Sequence, residues 1–350
     1  MKPRLLFIKH KDFNARTVDN DIKILSEKFT VTIQNVNTTK SIEFFYSLFK
    51  QFVWIAFNIR KFKLIYIWFA DYHSVLPIFF SMIFRKISVL NIGGYDADEI
   101  LISKPSNLKE KFRKFCVKYS MKHCTRMFPV SGVIKNYLNK YGFGNKSEVI
   151  YCCVDDRIFP TETIPVKENI IITIGGGGKF IKEALRKRLD LFIQIGEEFN
   201  RKFPEYNARF FLIGHDPGSN TYEYLSKIIT DKNVQLKPFT RTPEELIEYL
   251  RPASVYMQLS YYEAFGIAQI EAMMYGAIPL SNPGGAIAEV VGDSGFLVKD
   301  YNIDEYIRLL KEILDGKHEI LRNKARQKVI SNFTIDVRKN KLLNTINGLL

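Results

Sequence analysis

The chain is poor in the residues that would mark a disulfide scaffold, a metal centre or a membrane span. Its 350 residues hold four cysteines, five histidines and two tryptophans. Cys116, Cys124, Cys152 and Cys153 fit no zinc spacing, and the adjacency of Cys152 and Cys153 disfavours a mutual disulfide. Reduced thiols and a cytoplasmic setting are the expectation. No uncharged apolar run reaches spanning length, and the nearest, Phe44–Ile59, is interrupted by Lys50. Met1–Arg4 runs directly into Leu5-Leu6-Phe7-Ile8, too short for the core of a secretory signal, so none is expected. No DNA-reading motif is visible.

What the chain has is globular bulk and an uneven positive charge. It is 46% hydrophobic and 25% charged, the composition of a folded protein. The formal net charge is +14. Residues 1–160 carry 26 Lys+Arg against 13 Asp+Glu, whereas the remainder carries 25 against 24. The first part therefore holds +13 and the second +1. Such a half attracts anionic membrane, nucleic acid or a phosphorylated substrate, or it is simply a solvated lysine-rich surface.

The length suits two α/β domains. Strand patterns at Leu5–Ile8, Val31–Asn35, Leu64–Phe69, Ile87–Ile92 and Arg126–Val130 alternate with helical ones at Thr17–Lys28, Ser41–Ile59, Val75–Arg85, Lys109–Lys122 and Gly132–Lys140. Val149–Tyr151 reads as a last strand of this series. A second series has strands at Ile170–Ile174, Ala208–Ile213, Val234–Leu236, Val255–Leu259 and Ile278–Ser281. Its helices read as Arg188–Asn200, Ser219–Ile229, Thr242–Arg251, Phe265–Tyr275 and Asp304–Leu314. Thr334–Leu350 closes the chain as a helix. This alternation predicts doubly wound parallel sheets. The expected division is a first domain over 1–152, a linker over 153–169, a second domain over 170–332, and a terminal helix over 333–350 that packs back toward the first domain.

The most informative segment is Ser260–Val298. Two carboxylates, Glu263 and Glu271, flank a strand-to-helix turn that contains Gly266. A helix opening there presents free backbone N–H groups and a positive dipole end, which bind phosphate without a metal. Glu271 is spaced to take a ribose diol by two hydrogen bonds. The ordinary alternative is two surface glutamates at a helix start.

The run Ser260-Tyr261-Tyr262-Glu263-Ala264-Phe265-Gly266, followed by Glu271-Ala272-Met273, resembles the signature of glycosyltransferase family four, the "glycosyl transferases group 1" type. The resemblance extends to Pro238–Ala253, to Pro279–Val298 with Gly284-Gly285-Ala286, to the Val154-Asp155…Phe159 turn, and to Ser131 after a strand. It implies a retaining, nucleotide-sugar-dependent transferase of the GT-B fold, with two Rossmann-like doubly wound domains facing across a cleft. It places Glu263 against the donor sugar hydroxyls, and the amides of Phe265, Gly266 and Ile267 on the diphosphate and sugar. Glu271 is placed on the ribose and Lys187 on the diphosphate, with Gly175, Gly176, Gly214 and Pro238 beside the nucleotide. The donor would be a UDP- or GDP-type sugar, with no essential cofactor and no metal. The acceptor would be a lipid-linked or other membrane-proximal oligosaccharide in a glycan pathway, and the protein would lie peripherally on the cytoplasmic membrane face.

The chain departs from the family pattern in four places. Gly176 stands where an Arg is frequent, Arg188 follows Lys187 where a Gly is usual, and Ile92-Gly93-Gly94 lacks a frequent His. Lys9-His10-Lys11-Asp12 stands in place of a glycine-rich first loop. Gly175–Gly178 reads either as a phosphate cradle or as a plain turn. Asp96 and His73 follow strands of the first domain and are candidate catalytic groups on the acceptor side, with loop capping and a buried structural histidine as alternatives. Asp96-Ala97-Asp98 forms an Asp-x-Asp, but no metal is invoked for it. His10 and His215 have comparable positions after strands and the same two readings, while Arg16, in the loop before the first helix, reads either as a phosphate or acceptor contact or as a surface arginine. Phe44–Lys63, with eight aromatic residues and interleaved Lys50, Arg60, Lys61 and Lys63, reads either as a core helix or as an interfacial helix on anionic lipid. Two rival functions remain at this point: a glycosyltransferase acting on nucleic acid, which the aromatic clustering disfavours, and an inactive GT-B-like scaffold binding lipid or protein.

Overall fold

A computed structural model describes residues 2–11, 13, 16–37, 41–97, 104–155, 163–175 and 181–350. The chain divides into two compact units. Unit 1 is Met1–Cys152 with Ile335–Leu350, and unit 2 is Cys153–Thr334.

In unit 1, β1 (Arg4–His10), β2 (Thr30–Val36), β3 (Leu64–Trp68), β4 (Ile87–Ile92) and β5 (Arg126–Pro129) form one parallel sheet in the order β2-β1-β3-β4-β5. Its helices are α1 (Arg16–Lys28), α2 (Ser41–Asn58), α3 (Tyr72–Ile83), α4 (Leu108–His123) and α5 (Gly132–Lys140). Parallel strands covered on both faces read as unbroken apolar runs. Leu64–Trp68 is buried throughout, and Leu5 to Ile8 are wholly inaccessible.

In unit 2, β6 (Glu168–Ile174), β7 (Arg209–Ile213), β8 (Val234–Lys237), β9 (Ala253–Gln258), β10 (Ile278–Ser281) and β11 (Phe296–Leu297) form a second parallel sheet, ordered β11-β10-β9-β6-β7-β8. Around it stand α6 (Ile181–Arg186), α7 (Leu189–Lys202), α8 (Asn220–Ser226), α9 (Pro243–Leu250), α10 (Ile267–Met274), α11 (Ile287–Val291), α12 (Ile303–Leu314) and α13 (Ile320–Asn332). α14 (Ile335–Asn347) belongs to unit 1.

The attachment of α14 has a definite cause. Arg338 pairs with Asp21 of α1 at 2.7 Å, and the two side chains are 1% and 0% exposed. Asp21 also accepts from Tyr66 Oη at 2.8 Å and Trp68 Nε1 at 2.9 Å, while Arg338 donates to the carbonyl of Ile150 at 3.0 Å. Every group in this cluster has a partner, which is the condition for a buried ion pair to persist.

Three readings of the sequence are corrected. Val149–Tyr151 is not a strand: it runs beside β5 with the Glu148 amide on Met127 and the Ile150 amide on Pro129, and then leaves the sheet. α13 went unrecognised because its buried face includes Arg322 and Arg326 beside Ala325 and Val329, so no apolar stripe shows. α6 and α11, at 6 and 5 residues, are too short for a helical period to register. The four cysteines are buried, and none of them forms a disulfide among the described residues.

Candidate active site

Each sheet reverses direction of winding at one place, between β1 and β3 in unit 1 and between β6 and β9 in unit 2. Open α/β sheets place ligands in the crevice beyond the carboxyl ends of the strands at such a switch point. In unit 2 that crevice receives Gly175 after β6 and the Ser260–Gly266 turn after β9.

The turn is built by glycine geometry. Gly266 has φ 97° and no side-chain cap, so it ends the turn in a left-handed conformation and opens α10 directly. The first amides of α10 have no intrahelical acceptor, as in any helix start. Gly285 has φ 66°, and a Cβ there would stand 2.3 Å from the Glu263 carbonyl. Glu263 bridges to Gly285 through the backbone, and the Ala286 amide donates to the Glu263 carbonyl at 2.8 Å. The Gly284-Gly285 pair thus braces the signature turn from below.

The Glu263 carboxylate is held rather than free. Its Oε1 accepts from Ser260 Oγ at 2.9 Å and from Gln258 Nε2 at 3.2 Å. Gln258 in turn accepts from Tyr256 Oη at 2.8 Å and donates to Ser260 at 2.6 Å. Burial, and next the Glu263 charge, raise the Tyr256 phenol so that it remains a donor. Two cations face the same carboxylate oxygen: Lys187 Nζ and Arg186 Nη1, each at 3.7 Å. Lys187 also donates to the Ile174 carbonyl at the end of β6, at 3.1 Å. Arg186 clamps the turn by donating to the Tyr262 carbonyl at 2.8 Å and accepting from the Tyr261 amide at 3.0 Å.

Arg188 explains how the chain manages without the usual glycine after the lysine. It adopts φ 54°, ψ 44°, the left-handed conformation that glycine reaches most easily. Its guanidinium lies 5.2 Å from the Tyr261 ring and 4.6 Å from the Tyr301 ring, and its Nε is 3.3 Å from Asp190. Cation–π contacts and the ion pair offset the backbone strain.

The other candidates of unit 2 fall around this centre. Phe265 is buried edge-on against Phe333 at 5.4 Å, Ile267 is half-buried, and Glu271 is buried in α10. Gly214 follows β7, and its amide approaches the carbonyls of Lys237 and Pro238 at 3.1 and 3.3 Å. Gly176, like Asp98, lies outside the described residues. A cavity of about 850 Å³ in unit 2 is lined by Lys167, Asn169 and Ser254 at the amino ends of β6 and β9. That is the wrong end of a parallel sheet for a ligand, and the carboxyl-end cluster is the better candidate.

In unit 1 the acceptor-side candidates separate. Asp96 is fully buried, with Oδ2 accepting the Ala70 amide at 3.0 Å and Oδ1 the Gly94 amide at 3.1 Å. It ties the loops after β3 and β4 together, which is the loop-capping alternative of the two sequence readings. His73 is 1% exposed, and its Nε2 meets the Trp68 carbonyl at 2.9 Å. Burial is the largest influence on it and lowers its pKa, so its ring is neutral near pH 7. It nevertheless lines a cavity of about 740 Å³ with His10, Phe69, Asp71, Tyr95 and Arg113. Arg16 is the exposed first residue of α1. Among the described residues no group of three His, Cys, Asp or Glu is placed to hold a metal ion.

Three sequence comparisons bear on this geometry. The family model described as "Glycosyl transferases group 1" matches residues 154–332, just over half of the chain. The chain belongs to the glycosyl transferases group 1 family. A D-inositol 3-phosphate glycosyltransferase of Corynebacterium aurimucosum is 27% identical over 158 residues, which are 43% of this chain and 36% of that one. An N-acetyl-alpha-D-glucosaminyl L-malate synthase of Bacillus anthracis is 26% identical over 204 residues, covering 53% and 49%. The matches thus span less than half the length of these curated relatives. Among solved structures, Anabaena Alr3699/HepE in complex with UDP and glucose superposes with a TM-score of 0.75 at 14% identity, covering 99% of both chains. WaaG, a glycosyltransferase involved in lipopolysaccharide biosynthesis, gives 0.70 at 12% identity, covering 96% and 98%. These likenesses show the GT-B fold. Gln258 and Arg186, which contact Glu263, stood outside the motif, whereas Ser260 opens the signature run; a polar residue at alternate positions of a strand end, as in Gln258 and Ser260, is the signal the sequence carries for Gln258.

Proposed function

We propose that this group 1 glycosyltransferase moves a hexose-type sugar, with retention of configuration, from a UDP- or GDP-type sugar to a lipid-linked or membrane-proximal saccharide. The observation that carries this reading is the Lys187–Glu263 pair set beside the Gly266 helix start. A diphosphate there would meet the α10 amides and the Lys187 ammonium, while Glu263, held by Ser260 and Gln258, would orient sugar hydroxyls. Glu271 would take the ribose. As the bond between the anomeric carbon and the diphosphate oxygen breaks, the acceptor oxygen bonds that carbon and releases its proton. Lys187 would neutralise the charge gathering on the departing diphosphate.

The membrane side of the proposal rests on unit 1. α2 buries Gln51 and Ile55, with Ile59 buried just beyond its end, and leaves Phe45, Phe49 and Phe57 at 74%, 66% and 80% exposure. Rings continue from Phe52 onto Phe80 of α3 and from Tyr72 of α3 onto Phe112 of α4. Phe112 and Phe115 are exposed among Lys109, Lys111, Lys114 and Lys118. An exposed aromatic face set among lysines matches an anionic lipid surface in both apolar and charge terms. No helix of the described residues is long and apolar enough to cross a membrane.

The donor is tested by thermal shift against UDP-, GDP-, ADP- and TDP-sugars. A true donor at about 100 times its dissociation constant should add about 2.7 kcal/mol of stability. No shift with any of them, and no release of nucleoside diphosphate with a glycan acceptor, would overturn the reading.

A further inference from the structure

Unit 2 contains a buried polar group that the site as described does not use. His215 follows Gly214 at the carboxyl end of β7, beside β6 in the sheet. Its side chain is 2% exposed, and neither Nδ1 nor Nε2 has a hydrogen-bond partner among the described residues. A buried imidazole left in that state costs about 1–3 kcal/mol. Native proteins retain such a cost where a ligand or water removes it.

The ring's position says where that ligand oxygen would be. A Cβ built on Gly175 would lie 2.2 Å from His215 Nε2 and 2.6 Å from Cε1. The imidazole therefore occupies the space that a side chain at the end of β6 would take. Gly175 has no side chain at the end of β6, and the imidazole comes in from the neighbouring strand. Lys187, whose ammonium is bound to the Ile174 carbonyl one residue earlier, is close enough to act on His215 electrostatically. Burial first, and then this ammonium, push the His215 pKa down to about 4, with Asp216 opposing. At neutral pH the ring is thus an uncharged donor beside a fixed cation, a pairing suited to an oxyanion and unsuited to a second cation.

We propose that His215 is a binding residue for the donor's diphosphate, donating from Nε2–H to a phosphate oxygen that Lys187 also holds. This rests on the nucleotide-sugar reading above. It adds the end of β6 and the loop after β7 to the α10 helix start and the Lys187 turn as elements that meet the diphosphate.

The chain has only five histidines, which makes their ring nitrogens separable by NMR. The test titrates ¹⁵N-histidine-labelled protein with UDP and GDP, and separately with uridine and guanosine; the His215→Gln spectrum identifies the resonance. The Nε2 signal of His215 should move with the nucleoside diphosphate and stay in place with the nucleoside. Calorimetry should then show His215→Ala losing about ten- to a hundredfold in nucleoside diphosphate affinity, the range for a hydrogen bond to a charged group. Nucleoside affinity should be unchanged. Gly175→Ala, which displaces the ring without deleting it, should give the same selective loss. If wild type binds neither diphosphate, the nucleotide-sugar reading itself fails. If wild type binds one while His215 Nε2 does not respond, or the variants bind both ligands as wild type does, His215 is a structural residue and this inference alone is wrong.

Discussion

The two switch points of the molecule are alike in topology and opposite in how they use buried polarity. In unit 1 the charged cluster beside β3, formed by Asp21, Tyr66, Trp68 and Arg338, is closed, with every donor matched. In unit 2 the cluster at the end of β9 is held but open. Glu263 has two hydrogen bonds on one oxygen and two cations at 3.7 Å, and among the described residues His215 has no hydrogen bond on either ring nitrogen. A saturated cluster contributes stability, and an under-satisfied one at a strand's carboxyl end is a place for a ligand. The comparison is useful because it makes opposite demands on mutants of the two regions.

The largest effect is expected in unit 1. Arg338→Leu leaves Asp21 buried without its cation and should cost about 3–5 kcal/mol of stability. Both tryptophans, Trp54 and Trp68, lie in unit 1, so fluorescence-monitored urea unfolding reads that unit selectively. Adding Asp21→Asn to Arg338→Leu should recover part of the loss, because the stranded charge is gone. A single variant that unfolds at the wild-type urea concentration would mean that the cluster is not what fixes α14.

Lys187→Ala makes the converse demand. Lys187 donates to one carbonyl and faces one carboxylate, so its removal should leave the thermal midpoint of unit 2 nearly unchanged. Activity is where it should register: losing one preorganised group aimed at developing negative charge lowers kcat by about 10²–10³-fold. A variant that keeps kcat within threefold of wild type, or one that melts early, would break the distinction between the open cluster and the closed one.

The same contrast decides what could be read from the residues. The unit 2 site was legible because its shape depends on backbone conformation. Gly266 at φ 97° and Gly285 at φ 66° tolerate no other residue cheaply, so the spacing of Glu263, Gly266 and Glu271 survives as a pattern. The alternation of apolar runs with helices likewise marked both sheets as parallel and left their strand order open. Side-chain networks left no such trace. Gln258 looks like an ordinary strand-end residue until it is seen donating, with Ser260 of the signature run, to the Glu263 carboxylate. Arg188 looked like a departure, yet it occupies the left-handed conformation itself and is held by two tyrosine rings. For Asp96 the sequence left a catalytic role and loop capping open, and only the two backbone amides on its carboxylate display the capping.

The smallest effects per residue are expected on the exposed face of unit 1, where no group is buried until a partner arrives. The +13 charge of residues 1–160 and the aromatic face of α2, α3 and α4 contribute separable terms. Each Lys or Arg near an anionic surface is worth about 1 kcal/mol and is screened within a Debye length. The phenylalanines add an apolar term that salt does not remove. Liposome flotation should therefore show binding to anionic vesicles that weakens with salt without vanishing. Replacing Lys50, Arg60, Lys61 and Lys63 by Gln should remove the salt-sensitive part. Replacing Phe49, Phe57, Phe112 and Phe115 by Ser should remove the remainder, with nucleotide binding intact in both. Unit 2 residues serve as the control, and Lys187→Ala should float as wild type does. Equal recovery of all variants on anionic and zwitterionic vesicles would leave the aromatic face without a lipid partner and direct the search to a protein one.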